Sequence, residues 1–286
     1  MPHTKHPAHG HGKGRESHGA IVVVALGTTQ VEGRGVVSRA VDQIRARYPG
    51  TVVKYAFTSE VVRNVLSGAG ERIPSPLAAV TSLMDEGHRR IVLQPLCVTP
   101  GLYYHGLYSI ASTLNSIAGP HYDLGLDGIL ISRPLLLLEE DYRDAAAAIL
   151  KVYGRPEPGS ALVLIAPESE GGGDPALCQL QMILDETAGG GIVIGAASGY
   201  PGIEQIIERL QHMQTKTVTL APLTLVPGIH SWIEIAGENN EDSCLRRLQK
   251  AGYRVTADTR AVGEHQPILD LFEKRLKETV ESHDFF

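Results

Sequence analysis

Residues 95–101 read Pro-Leu-Cys-Val-Thr-Pro-Gly and residues 222–228 read Pro-Leu-Thr-Leu-Val-Pro-Gly, with four identities in seven positions. Each copy belongs to an apolar run, Arg90 to Val98 in the first case and Thr217 to Val226 in the second. Such runs suit parallel strands buried on both faces. Working outward, both copies sit at the same stage of one alternation. Ahead of the first, Ala20 to Leu26 reads as a buried strand ending in Gly27-Thr28-Thr29. Val37, Ala40, Val41, Ile44 and Tyr48 then share a helical face, Thr51 to Phe57 reads as a strand, and Leu77 to Met84 as a helix. Behind it follow a helix over Leu107 to Ile117, a strand over Gly128 to Ser132 and a helix over Tyr142 to Tyr153.

The run from Gly154 to Gly159, Gly-Arg-Pro-Glu-Pro-Gly, reads as a linker, after which the cycle restarts. Ala161 to Ile165 is expected as a strand, Ala176 to Thr187 as a helix and Ile192 to Ala196 as a strand. The Ile203, Ile206, Ile207, Leu210, Met213 face follows, and a last helix carries Ile268, Phe272, Leu276 and Val280. Strands alternating with helices specify right-handed βαβ units and parallel sheets. With the repeated segment, this predicts an α/β chain duplicated internally. Two similar lobes, 19–153 and 160–286, would face each other across a cleft lined by the loops at strand C-termini. Residues 1–18, with His3, His6, His9, His11 and His18 among Gly, Pro and Lys, read as a flexible tail; such tracts can bind transition metals.

Composition excludes several classes of function. A net charge of −6 offers no footprint for a nucleic-acid backbone, and one Trp with four Phe makes no stacking platform for single strands. Cys97, Cys178 and Cys244 are odd in number and far apart, which argues against a disulfide framework or a structural zinc site. No apolar run approaches the ~20 residues of a membrane span. The N-terminus lacks a basic-then-apolar signal, so the cytoplasm is the expected location. No phosphate-binding loop, nucleophile elbow or HExxH pair occurs.

The strand-end loops therefore hold the candidates. Gly228 allows a sharp turn, after which His230 is expected to project from a loop at a strand end; imidazole both ligates metals and accepts protons near neutral pH. Glu168 and Glu170 are expected in the turn after the strand ending at Ile165, and His105 is the first lobe's nearest counterpart to His230. Glu264-His265 is either loop decoration or a cleft edge.

The chain resembles the anaerobic sirohydrochlorin cobaltochelatases of the CbiK type over nearly everything after residue 19. The resemblance is carried by Ala56-Phe57-Thr58-Ser59, by Gln94-Pro95-Leu96 with Pro100-Gly101, and by Arg133-Pro134-Leu135-Leu136 with Asp141-Tyr142. It continues in Gly199-Tyr200-Pro201, Pro222 to His230, Glu241-Asp242-Ser243 and Gly263-Glu264. It implies ATP-independent insertion of a divalent metal, Co²⁺ or else Ni²⁺ or Fe²⁺, into sirohydrochlorin, as in anaerobic cobalamin-type biosynthesis. The metal is then a substrate, and no permanently bound cofactor is implied. It also implies a macrocycle held by Gly27, Thr28, Pro100, Gly101, Tyr103, Gly199, Tyr200 and Gly228. Of the family's metal ligands, the His of a GHGT turn falls at Pro167 and the Glu of an EGYP turn at Ser198; only His230 is retained. Cys97 stands where the family's QPLH segment has its His. Glu168, Glu170, another cleft residue or the substrate itself could complete the shell, with Glu168 favoured as ligand and proton acceptor. Three functions stay open: a chelatase with a rearranged site, a tetrapyrrole- or metal-binding relative that has lost insertion, or an enzyme of metal removal or of a different tetrapyrrole substrate. A homo-oligomer is also left open.

Overall fold

The structure, a computed structural model, describes residues 19–117, 126–168, 172–226 and 228–285. The His-rich segment 1–18 and Glu170 lie outside the described residues. The first lobe contains β1 (Gly19–Ala25), α1 (Val31–Arg47), β2 (Val52–Phe57), α2 (Glu60–Gly68), α3 (Pro76–Asp85), β3 (Arg90–Leu96), α4 (Leu102–Ile117), β4 (Gly128–Ile131) and α5 (Glu139–Tyr153). The second contains β5 (Ser160–Glu168), α6 (Asp174–Ala188), β6 (Ile192–Ser198), α7 (Ile203–His212) and β7 (Thr217–Pro222). It continues with α8 (Ile229–Ala236), α9 (Cys244–Lys250), β8 (Arg254–Ala257), a 3₁₀ turn (Val262–Glu264) and α10 (Gln266–Ser282).

Both sheets are wholly parallel and share one order, β2-β1-β3-β4 and β6-β5-β7-β8. This is the duplicated two-lobe architecture expected from the repeat. The register makes the equivalence residue-specific. Val24 lies opposite Pro95 in one sheet, and Ile165 lies opposite Pro222 in the other. Carried along the chain, this offset superposes Gly27 on Glu168, Gly101 on Gly228 and Tyr103 on His230. The first lobe's counterpart of His230 is thus Tyr103 rather than His105.

Ala20 to Ala25 have no exposed surface, as the unbroken apolar run required. Where strands end at a sheet edge, side-chain amides take the place of a neighbour. Asn115 donates to the Ile129 carbonyl at 2.9 Å and accepts its N–H at 2.8 Å, while Gln181 does the same for Ile192 and Ile194 at 3.0 and 2.7 Å. Such caps withdraw the unpaired edges of β4 and β6 from pairing with another chain.

The lobes meet through helices. α5 packs on α6, and α10 crosses back to pack on α5 and α1, so the last helix of the 160–286 segment is shared between lobes. At that junction Asp141 and Arg275 have no exposed side-chain surface. The Arg275 Nε atom lies 2.7 Å from an Asp141 oxygen, and its Nη1 donates to Asp144 at 2.9 Å. Arg133 donates to both Asp141 oxygens at 3.1 Å and to Glu278 at 2.6 Å.

Several expectations are corrected. The stretch Glu60–Gly68, for which no element was expected, is helical, with Val61 and Val65, and Val62 and Leu66, at i, i+4 spacing; Ser59 caps it by accepting the Val62 N–H at 3.3 Å. α4 starts at Leu102, five residues before Leu107, so Tyr103 and His105 are helical. β5 runs past Ile165 to Glu168, which is a strand residue rather than a turn residue. His230 is the second residue of α8 and not part of a loop. The short elements α8, α9 and β8 escape a pattern reading because none is long enough to show a period. Among the described residues, no helix is long and apolar enough to cross a membrane.

Candidate functional site

The C-terminal ends of both sheets point into one cleft, where a cavity of about 310 Å³ is lined by residues of both lobes. The first lobe contributes Gln30 and Glu32, at the start of α1. The second contributes Pro222, Thr224, Gly228, Trp232, Ile233, Thr259, Arg260 and Glu264. Parallel sheets place strand-end loops and helix N-termini on one side, which is why this end holds the cavity. Ile233 of this lining is exposed, and so are Leu26, Val31, Val61 and Leu102, which follow the C-terminal ends of β1, β2 and β3. Apolar side chains left in water beside a cleft mark a ligand surface better than scattered ones do.

The loop after β1 is held by its neighbours. Thr58 and Ser59 donate their N–H groups to the Ala25 and Leu26 carbonyls at 3.0 Å, and Thr28 accepts the Gln30 N–H at 3.1 Å. Gly27 adopts φ +105°, and a Cβ there would come within 2.8 Å of the Phe57 ring, so glycine is required on both counts. After β3, Tyr103 donates its hydroxyl to the Val24 carbonyl at 2.5 Å, tying the start of α4 to the central strand. Cys97 lies beneath it. Burial pushes its thiol well above the ordinary cysteine range, making it a poor ligand and base at neutral pH. Leu135 and Leu136 brace this loop from behind by donating to the Cys97 and Val98 carbonyls at 3.0 and 2.9 Å.

On the opposite wall, Arg260 donates to Asp258 from Nε and Nη2 at 3.1 and 2.9 Å. Glu264 accepts the Ala261 N–H at 2.7 Å and so closes the 3₁₀ turn. This places Glu264 at the cleft edge. His265 instead faces Tyr153, with ring centroids 5.5 Å apart, and burial followed by the Arg260 charge holds its imidazole below the ordinary histidine range. Gly263 lies against the chain leaving β7, where a Cβ would come 1.9 Å from the Leu225 carbonyl oxygen. Gly263→Ala should therefore displace this wall and lower stability by about 1–3 kcal/mol. A urea-midpoint shift within error would show that the wall yields freely.

With this geometry in place the comparisons are specific. The profile of the cobalt chelatase (CbiK) family matches residues 19–281. The chain belongs to the cobalt chelatase family. The sirohydrochlorin cobaltochelatase CbiKC of Nitratidesulfovibrio vulgaris is 27% identical over 268 residues, covering 92% of this chain and 91% of its own. The sirohydrochlorin cobaltochelatase of Salmonella typhimurium is 24% identical over 264 residues, covering 91% and 96%. Among solved structures, SirB from Bacillus subtilis with Fe³⁺ aligns over 94% of this chain and 98% of its own, with a TM-score of 0.63 and 17% identity.

Of the residues expected to line the chelatase's cleft, Gly228 lines the cavity itself. Gly27, Thr28, Pro100, Gly101 and Tyr103 stand at the ends of β1 and β3 on the same side. Gly199 follows β6, but Tyr200 lines a separate hollow of about 500 Å³ beside that edge strand, with Gln205, Arg209 and His212. The chelatase's two candidate ligands are placed by backbone. His230 lies one turn before Ile233 in α8, whose N-cap Gly228 borders the cavity. Glu168 lies directly opposite Ser198 in the β5–β6 ladder. Among the described residues, no cluster of three or more His, Cys, Asp or Glu side chains is placed to hold a metal. Trp232, Thr224 and Arg260 were not singled out by motif; the one available signal was that Trp232 is the sole tryptophan.

Proposed function

We propose that this chelatase inserts Co²⁺ into sirohydrochlorin without ATP, with the macrocycle in the inter-lobe cleft. The reading rests chiefly on one observation: a cavity lined by residues of both lobes lies at the C-terminal ends of β1, β7 and β8 in a chain whose family profile spans both lobes. The two curated relatives bear the name sirohydrochlorin cobaltochelatase and are matched over nearly their whole length. Insertion requires that the metal be held weakly at one face of the ring and that a base accept the pyrrole protons. His230 would hold the metal and Glu168 would take protons and complete the shell. The register supports the second role, because neighbouring strands run ~5 Å apart and Glu168 is the residue beside Ser198. By backbone register, Glu168 is the acidic residue at the position paired with the one where the resemblance implies the missing carboxylate.

The test is anaerobic incubation of the purified protein with sirohydrochlorin and Co²⁺, following the absorbance change against a protein-free control. Insertion faster than the control is expected. Glu168→Gln should slow it by about 10²-fold or more, the usual contribution of a positioned base; an unchanged rate would remove Glu168 from the chemistry. A second reading, a carrier that binds tetrapyrrole or metal without inserting it, is favoured by Pro167 and Ser198, neither of which ligates well. A spectral shift with sirohydrochlorin but no acceleration would establish it.

A further inference from the structure

Thr224 leaves the end of β7 with 9% of its surface exposed, and its hydroxyl is buried without a hydrogen-bond partner. It nonetheless lines the cleft cavity. Buried hydroxyls are nearly always paired, so an unpaired one facing a cavity points to a partner that arrives with a ligand. Beside it, Asp258 holds the Arg260 guanidinium through Nε and Nη2 and also accepts the Arg260 backbone N–H at 3.0 Å. Nη1 makes no hydrogen bond among the described residues, so the fork is oriented but not saturated.

The other groups around Thr224 sharpen the chemistry. Trp232 and Arg260 can only donate hydrogen bonds. The N-caps of α1 and α8 are Gln30 and Gly228, neither of which caps its helix with a side chain, and both residues border the cavity. Uncapped helix N-termini favour negative charge. Two carboxylates also border the cavity. Glu264 is committed to the Ala261 N–H, and Glu32 is exposed at the opposite rim in the first turn of α1. The unpaired capacity near Thr224 is therefore for an acceptor.

We infer that Thr224 and Arg260 form a subsite for one carboxylate arm of the bound macrocycle. The inference rests on the proposed tetrapyrrole-binding function and deepens it. The carboxylate would accept from the Thr224 hydroxyl and from Arg260 Nη1, and Asp258 acts as a positioning residue that aims the guanidinium. Such an anchor fixes the ring's rotation in the cleft, and hence which pyrrole nitrogens face His230.

Trp232 lines the cavity and is the sole tryptophan, so its fluorescence reports occupancy directly. Wild type, Thr224→Val and Arg260→Met are titrated anaerobically with sirohydrochlorin and with its fully methyl-esterified form. For the free acid, Arg260→Met should weaken binding about 10- to 100-fold and Thr224→Val about 5- to 10-fold, as loss of hydrogen bonds to a charged group predicts. For the ester, wild type and variants should bind alike. Thr224→Val should also unfold at an unchanged or higher temperature, since it removes an unpaired buried hydroxyl. A purely structural residue would instead lose stability and affinity together. Quenching by sirohydrochlorin with wild-type affinity in both variants, or equal losses for acid and ester, would overturn the subsite alone. Absence of quenching in the wild type would overturn the functional reading and the subsite with it.

Discussion

Asp141→Ala is expected to destabilise the protein by about 3–5 kcal/mol, the usual cost of removing one partner from a buried ion pair. The carboxylate accepts from Arg133 twice and from the Leu138 N–H at 2.9 Å, and it lies 2.7 Å from Arg275 Nε. Without it, the fully buried Arg275 keeps, among the described residues, only Asp144 as an anionic partner. Burial alone would raise the Asp144 carboxyl, but Lys274 and Arg275 outweigh it and hold it below the ordinary aspartate range. That carboxylate is therefore already committed. Equilibrium urea unfolding measures the loss, and a shift below about 1 kcal/mol would mean that water reaches Arg275 and solvates it. The consequence also reaches the cleft. Arg133 opens the segment that continues to Leu135 and Leu136, and these brace the Cys97 and Val98 carbonyls. A variant that stays folded should bind sirohydrochlorin more weakly, through a loosened first-lobe loop.

His230→Ala should abolish metal insertion, reducing the rate by about 10²-fold or more, while leaving sirohydrochlorin binding nearly intact. His230 is the one residue of the implied ligand set that this chain retains, and its helix starts at the cavity's edge. Its counterpart in the first lobe, Tyr103, has its hydroxyl committed to the Val24 carbonyl, so the duplication supplies no second imidazole at the equivalent point. The neighbouring Cys97 thiol is held protonated by burial and cannot readily replace it. Single-turnover absorbance measurements separate insertion from binding. Normal insertion by the alanine variant would move the chemistry away from α8 altogether.

The amino-acid sequence by itself determined the two parallel sheets, because runs such as Ala20 to Leu26 and Thr217 to Val226 cannot be satisfied on a half-solvated strand. The repeated Pro-Leu-x-x-x-Pro-Gly segment likewise marked the duplication, and the separated motifs marked the family. Short elements stayed hidden: α2 is brief and buries a single Leu66 well, and α8 and α9 are shorter still. Only the tertiary structure decided the cavity. Gln30 follows β1, Thr224 and Trp232 follow β7 and Arg260 follows β8, and the packing of α10 on α5 and α1 joins the lobe that holds Gln30 to the lobe that holds the others. The pairing of Glu168 with Ser198 was equally invisible, since it depends on where β5 stops and on a register between strands. Local patterns record which face of an element is buried, whereas a site records which ends of elements meet; that second fact is fixed by long-range packing.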